Sequence, residues 1–316
     1  MTARRIKFSI LFIILITCLT TFLLNFTDGA SIQASPNIEV SSATNQTLKT
    51  PVNAEEIIST AIVTAIEGTD TQKGQMVVMH RPNWKFAENL VVQLEKLISA
   101  AENGDNEASY ILSMNLRYCF SSPIDDIALE QKLEQVYEFS DSEVAVARIT
   151  EKYQYCAGIE QKQRTQFYSY SAAAANNGYV AAQEVIGRTT AEFFMESQGY
   201  QDLEREEFII MRDNFIEQKV GFLERAAQHG SISALARLSG MNRSQKLGGN
   251  GYAKSFAFNH LILELTQSNK TYDRYSRYQQ KLHSQLTSEE IENAFAMSAE
   301  WLAIIKANGT LYSIGN

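Results

Sequence analysis

Few residues in this sequence have the types and spacing that chemistry requires. His260 and Glu264 stand four residues apart, a spacing that places two metal ligands on one face of a helix. No second pair of ligands accompanies them, so a polar helix face or an interhelical hydrogen bond explains His260 better than a metal site does. The sequence therefore predicts no metal site.

Signatures of catalysis and of phosphate binding are also missing. The glycine-rich stretch from Gly248 to Gly251 lacks the Lys and the Ser or Thr that complete a phosphate-binding loop, so it is better interpreted as a turn. Paired acids such as Glu289 and Glu290 lie at predicted helix starts, where carboxylates complement the helix dipole. We therefore expect no catalytic residues, no enzymatic activity and no cofactor.

A tyrosine stripe is the main candidate for binding. Tyr272, Tyr275 and Tyr278 recur at helical spacing and Arg277 stands among them. A helical scaffold could present these four residues to a peptide, because aromatic residues and Arg are common at the centres of interfaces. The alternative is that the tyrosines belong to the hydrophobic core, where aromatic residues at helical spacing often lie.

The elements that would position such residues are marked by a pattern that recurs along the chain. Two adjacent Ala residues are followed by Gly at the third position after them, by Ala four residues later and by Leu or Ile after four more. Gly just past a helix end adopts the left-handed conformation without steric cost, so the pattern predicts the end of one helix and the start of the next. Self-similarity of this kind indicates a repeat architecture.

The pattern predicts a set of equivalent junctions between paired helices. A degenerate copy has Asp in the glycine position, 37 residues after the first glycine and 37 before the second. The predicted repeat junctions are Gly104, Asp141, Gly178 and Gly230, and the alanines expected to be buried at equivalent positions are Ala108, Ala145 and Ala182. The longer final interval predicts an insertion that lengthens a helix within residues 196–221.

These motifs resemble the Sel-one-like subfamily of tetratricopeptide-type repeats, whose units are helical hairpins with Ala-Ala-x-x-Gly-x-x-x-Ala near the junction. The resemblance covers roughly residues 91–258, and the stretch from Gly249 to Phe258 is similar to that family's glycine-rich turn and helix start. It implies an all-α fold in which α/α helical-hairpin repeats form a short superhelical solenoid. It also implies an interaction scaffold without catalysis of its own.

The N-terminus predicts export. Basic residues precede an uncharged apolar run at residues 8–24, which is either a cleaved signal peptide or an uncleaved anchor in the inner membrane. The basic flank places the remainder outside the cytoplasm, in the periplasm or a similar compartment. We expect a signal or anchor helix at 1–30, an extended tether with one uncertain short element at 31–83, and the repeat domain at 84–316.

Composition is compatible with this organisation. The chain is 45% hydrophobic and 20% charged, so it can bury a core. None of its four prolines follows Pro123, which permits long uninterrupted helices. The net charge of -8 argues against a nucleic-acid partner. Helices are expected near 84–103, 105–120, 124–139, 142–157, 163–177, 179–196, 203–229, 231–241, 253–267, 271–285 and 288–307.

Two cysteines occupy the same position in successive predicted units. Cys119 and Cys156 each lie 15 residues after their junctions, Gly104 and Asp141. Repetition brings equivalent helices side by side, and export permits oxidation, so we predict a disulfide between them. The objection is that equivalent side chains point in parallel, and buried free thiols are the alternative.

Three classes of function follow from these expectations. The first is an exported envelope scaffold whose repeats bind a protein or peptide, with the membrane involved only through the N-terminal segment. The alternative is a cell-wall-associated enzyme or enzyme inhibitor on a helical scaffold, which only the compartment supports. A structural subunit of an envelope complex is the third class.

Overall fold

The computed structural model describes residues 76–139 and 142–314. The predicted signal or anchor segment, most of the tether and the junction residue Asp141 lie outside the described residues. The described part of the chain is all-helical apart from two short strands. Within it, no helix combines the length and the apolar character needed to cross a membrane.

The elements follow the chain in a simple order. They are β1 (Val77–Met79), α1 (Val91–Glu102), α2 (Asn106–Phe120), α3 (Asp126–Phe139), α4 (Glu143–Cys156), α5 (Gln161–Thr165), α6 (Phe167–Asn176), α7 (Val180–Arg188), α8 (Ala191–Ser197), α9 (Arg205–Gln228), α10 (Ile232–Arg243), α11 (Gly251–Leu265), α12 (Asn269–His283), α13 (Ser288–Asn308) and β2 (Thr310–Tyr312).

Most of the predicted helices are present, and the differences lie at their starts and breaks. The first helix begins at Val91 rather than near residue 84, and residues 80–86 before it form no helix or strand. The helix expected over 179–196 is divided into α7 and α8, because the Thr190 side chain accepts a hydrogen bond from the Phe193 amide and so starts a new helix. The predicted insertion appears as α8 and as the 24-residue α9.

Three of the four predicted junctions have the same backbone geometry. Gly104, Gly178 and Gly230 have φ values of 88°, 85° and 74°, in the left-handed region. Each glycine N–H donates to the carbonyl of the second alanine of its pair, and the following N–H donates to the carbonyl of the first. The repeated pattern therefore predicted these helix ends correctly.

The hairpins that share this junction pack in sequence. The hairpins are α1/α2, α6/α7 and α9/α10, and the second helix of each packs against the first helix of the next: α2 on α6, α7 on α9, and α10 on α11. Ala108, Ala182 and Ala234 lie buried at the same position after their glycines. Small side chains at these positions permit the close approach of neighbouring helices.

The degenerate copy around Asp141 is not an equivalent unit, which corrects the expectation of a 37-residue repeat. α2 packs directly on α6, so the hairpin α3/α4 has no place between them. Ala145 is only half-buried, and no described side chain of α3 is buried. The physical reason lies before the junction, where Tyr137 and Glu138 replace the alanine pair and prevent a close helix approach.

The predicted disulfide is present. Cys119 at the end of α2 is bonded to Cys156 at the end of α4, and their Cα atoms are 5.5 Å apart. Both residues are fully buried, in a cluster with Leu90, Leu112 and Phe167. The bridge therefore joins the α3/α4 hairpin to the packed helices at its C-terminal end.

Two strands that the sequence did not predict bring the two ends of the described chain together. β1 pairs in parallel with β2, with Val77 opposite Thr310 and Met79 opposite Tyr312. The strand β2 follows Gly309, which ends α13 in the left-handed conformation. It also passes so close to Gly230 that a Cβ atom there would clash with the Thr310 carbonyl oxygen. Gly230 is therefore required both by its φ value and by this contact.

Candidate functional site

A segment without helix, residues 76–86, begins with β1 and runs along several helices, and we call it the N-terminal strap. Helix side chains bind its main chain directly. The Asn115 side-chain amide of α2 donates to the Trp84 carbonyl at 2.6 Å, and the Phe86 N–H donates to the Tyr155 hydroxyl of α4 at 3.2 Å. Tyr155 in turn donates to Asn115, so the two side chains form one buried unit. The strap is thus held as an extended peptide ligand would be.

A buried ion pair fixes the strap to α7. Arg81 donates through Nε and Nη2 to the two carboxylate oxygens of Glu184, at 2.5 and 2.6 Å. The Glu184 side chain is only 1% exposed, and Ser231 also donates to it. The remaining Arg81 nitrogen donates to the Ser313 carbonyl at 2.8 Å. One guanidinium group therefore connects the strap, α7 and the segment after β2.

The pKa of Arg81 agrees with this geometry. Burial acts to lower it, but the hydrogen bond and the charge of Glu184 outweigh burial and raise the pKa above its usual value. A bidentate pair between guanidinium and carboxylate is among the stronger polar contacts in proteins. Arg81 thus remains charged, and the carboxylate of Glu184 compensates that charge.

Beside this pair lies a cleft of about 690 Å³, which we call the basic groove. The strap forms one wall, and α2 and α7 form the other. Its lining combines cationic and aromatic or apolar side chains, namely His80, Arg81, Trp84, Tyr110, Met114, Arg117 and Arg188. Acidic side chains are missing from its lining among the described residues, although the protein as a whole is acidic.

Two arginines of the groove have no carboxylate partner in the described part of the chain. Arg117 of α2 makes one long hydrogen bond, from Nη1 to the Val185 carbonyl at 3.5 Å, and lies over the Phe193 ring. Arg188 forms no ion pair within residues 76–139 and 142–314. Burial lowers the pKa of Arg117, and the nearby charge of Arg188 lowers it further. The Arg117 guanidinium still carries its charge at neutral pH, because the unperturbed pKa of arginine is so high.

The predicted tyrosine stripe is divided between core and surface, which corrects the expectation of one exposed face. Tyr275 is 7% exposed and packs edge-on against Tyr278 in the core around α10 and α11. Tyr278 is half-buried beneath Arg243, whose guanidinium carbon lies 4.1 Å from the ring centroid. Tyr272 is 50% exposed, and Arg277 is exposed as well. The core alternative is therefore correct for Tyr275, while binding by Tyr272 and Arg277 stays a prediction.

His260 has a structural role. Its Nδ1 lies 3.0 Å from the Ser298 hydroxyl of α13, which is the interhelical hydrogen bond expected from the sequence. The ring also packs against the edge of Phe295. Over the residues that the structure describes, His, Cys, Asp and Glu form no group of three that could hold a metal ion.

Sequence reasoning did not identify Arg81, Arg117, Glu184 or Arg188 as a group. One signal was present, because Glu184 lies next to Gln183 within the otherwise apolar residues 180–186, and a charged residue there requires a buried partner. The partner is distant in sequence, and it is supplied by a segment expected to be a tether. The positions of Arg117 and Arg188 had no local signal.

Comparison with known proteins adds no identification. The chain matches no protein-family model, and it matches neither a curated protein nor a solved structure. The resemblance to Sel-one-like repeats therefore stays a prediction.

Proposed function

We propose that this protein is an exported interaction scaffold that binds an extended segment of a partner protein. In this proposal the helical hairpins form a short superhelical solenoid of the Sel-one-like class. Their common junctions and the packing of each second helix on the next first helix support it. The hairpin α3/α4 is an elaboration attached to one side of the array.

One observation carries the binding function, which is the manner in which the N-terminal strap is held. Helices α2, α4 and α7 already bind an extended chain through its main-chain groups and through one charged anchor, Arg81. Surfaces of this type recognise extended peptides, because polar side chains satisfy the main chain and cavities accept side chains. The basic groove lies directly beside the strap and offers room for a second chain.

The disulfide supports the exported location. Such bonds persist in oxidising compartments and are rare in the cytosol, where thiols are kept reduced. Cys119 and Cys156 are fully buried and bonded to each other, which agrees with the export that the N-terminal segment predicts.

Site-specific crosslinking in the native compartment tests this function. A photoreactive amino acid at His80, which is exposed and lines the groove, is expected to capture one defined polypeptide. The same group at Lys254, which is exposed on α11 away from the groove, is the matched control and should not capture it. Crosslinking that is equal at both positions contradicts a groove-directed scaffold. Recovery of a glycan in place of a polypeptide favours the cell-wall enzyme or inhibitor.

A further inference from the structure

We propose that the basic groove takes an acidic segment of the partner, with a carboxylate seated against Arg117 and Arg188. This inference rests on the interaction-scaffold function proposed above. It concerns a different property, namely the charge and the chemical class of what the groove binds.

The groove contains positive charge that the described residues do not compensate. Arg81 is neutralised by Glu184, whereas Arg117 and Arg188 have no acidic partner in the described part of the chain. Arg117 is half-buried and its single hydrogen bond is long, so most of its donors are available. Two guanidinium groups with free donors in a partly desolvated cleft bind carboxylates strongly, because each can donate two parallel hydrogen bonds.

The size and the lining of the groove suit a peptide segment better than a small ion. Its volume is about 690 Å³, whereas a water molecule occupies about 30 Å³ of liquid volume. A small oxyanion would occupy little of this space and would leave Trp84 and Met114 in contact with water. A peptide segment places its carboxylates on the arginines and its aliphatic stems on these two side chains. Peptide ligands also gain from Trp, Tyr and Arg, which are the residues that most often carry binding energy at interfaces.

The charge of the groove is opposite to the net charge of the protein. The chain has a net charge of -8, which repels acidic ligands at long range. Binding of an acidic peptide therefore reports a local site and cannot result from general attraction. The affinity should fall as salt concentration rises, because salt screens the few charges that attract the ligand.

Trp84 lies in the groove, so its fluorescence can report binding there. The chain contains two tryptophans, so the variant Trp301→Phe leaves Trp84 as the single reporter. The probes are capped hexaglutamate, capped hexaglutamine and inorganic phosphate, each titrated against the full exported chain. Hexaglutamate should change the Trp84 fluorescence in a saturable manner, whereas hexaglutamine should not.

Substitution of the arginines tests where the charge acts. Arg188→Gln should weaken hexaglutamate binding about tenfold, as loss of one charge-assisted contact does. The Arg188 side chain forms no ion pair with a described residue, so this variant is expected to fold, and circular dichroism checks that it does. Arg225→Gln is the matched control, since Arg225 is exposed on α9 outside the groove, and it should bind as the parent does.

The outcomes separate this inference from the proposed function. It is overturned if hexaglutamate gives no saturable signal, if Arg188→Gln binds as tightly as the parent, or if phosphate binds as well as hexaglutamate. Capture of a polypeptide from position 80 together with any of these results leaves the scaffold function intact. Hexaglutamate binding without any captured polypeptide supports the charge chemistry and contradicts the scaffold.

Discussion

The hairpins α3/α4 and α6/α7 are joined to the rest of the protein by different means. In α6/α7, Ala174, Ala175 and Ala182 are completely buried, and the hairpin packs between α2 and α9. In α3/α4, no described side chain of α3 is buried, and α4 buries Tyr155 and Cys156 near its end. The first hairpin is held by packing along its length, and the second by a disulfide and the contacts around it.

This difference shows what decides whether a hairpin stacks. Both hairpins follow the same spacing, but only α6/α7 has an alanine pair before its junction, whereas α3/α4 has Tyr137 and Glu138 there. Spacing sets where helices end, while small side chains at the contact allow the helices to approach closely. A hairpin that lacks small side chains at the contact can be held instead by a disulfide and by apolar contacts at one end.

The largest effect is expected from a comparison of the two ion pairs that join the strap to α7 and to α4. Glu184→Gln leaves the buried Arg81 charge without its counterion and should reduce the free energy of unfolding by about 3 to 5 kcal/mol. Its counterpart on α4 is Glu151, which pairs with Lys85 at the surface. Glu151→Gln should leave the urea midpoint unchanged, because exposed pairs contribute little. Equal losses in urea denaturation would contradict the view that only α7 anchors the strap through a buried charge.

Removal of the disulfide should affect the two hairpins unequally. The double substitution of Cys119 and Cys156 by Ala should cost about 3 to 4 kcal/mol in the chain-entropy model, because the bridge closes a long loop. Hydrogen exchange followed by mass spectrometry is expected to show loss of protection in α3 and α4, while α6 and α7 stay protected. Uniform loss across both hairpins would mean that α3/α4 is integrated into the common core.

Two junction glycines sharpen the comparison within the stacked hairpins. Gly178 and Gly230 share the left-handed conformation, but an added Cβ meets no atom within 4 Å at Gly178 and the backbone of Thr310 at Gly230. Gly178→Ala should cost about 1 kcal/mol from its φ alone. Gly230→Ala should cost about 2 to 3 kcal/mol, because the β2 strand must also move. Equal losses of stability in thermal unfolding of the two variants would show that contact with β2 does not contribute to the requirement for glycine at position 230.

The last comparison concerns the alanine after each junction, and it includes the smallest expected effect, that of Ala145→Leu. Ala182→Leu overpacks a fully buried contact and should cost about 1 to 3 kcal/mol. Ala145→Leu, at the corresponding position of α4, should change stability by no more than about 0.5 kcal/mol because that site is half-buried. Chemical denaturation of both variants provides the measurement. A larger loss for Ala145→Leu than for Ala182→Leu would restore α3/α4 as an equivalent unit.

Local features of the fold were predictable from the sequence. Gly104, Gly178 and Gly230 marked helix ends because a left-handed cap favours glycine, and this requirement is local. The Cys119–Cys156 bridge was also predictable, although that prediction assumed two equivalent units that the structure does not contain. The bridge forms because the ends of α2 and α4 meet, as any two adjacent helices can.

Features that depend on distant segments were not predictable. Residues 76–83 of the strap were expected to belong to a tether, because nothing near Arg81 indicates that Glu184 will bind it from α7. Three-residue strands such as β1 and β2 are too short to show a periodic pattern. Tyr275 was ambiguous for a related reason, since helical spacing identifies a face but does not state whether that face meets another helix or solvent.

The pairing of β1 with β2 has a consequence for folding. Most contacts in the helical array join neighbours in sequence, whereas the strap and the end of the chain meet across 232 residues at Arg81 and Ser313. Closing so long a loop costs entropy before its contacts form, so we expect the helices to assemble first and the ends to join last. Linear arrays open independently at each end. Here the release of one end removes the partner of the other, so the two ends should unfold together as one cooperative unit.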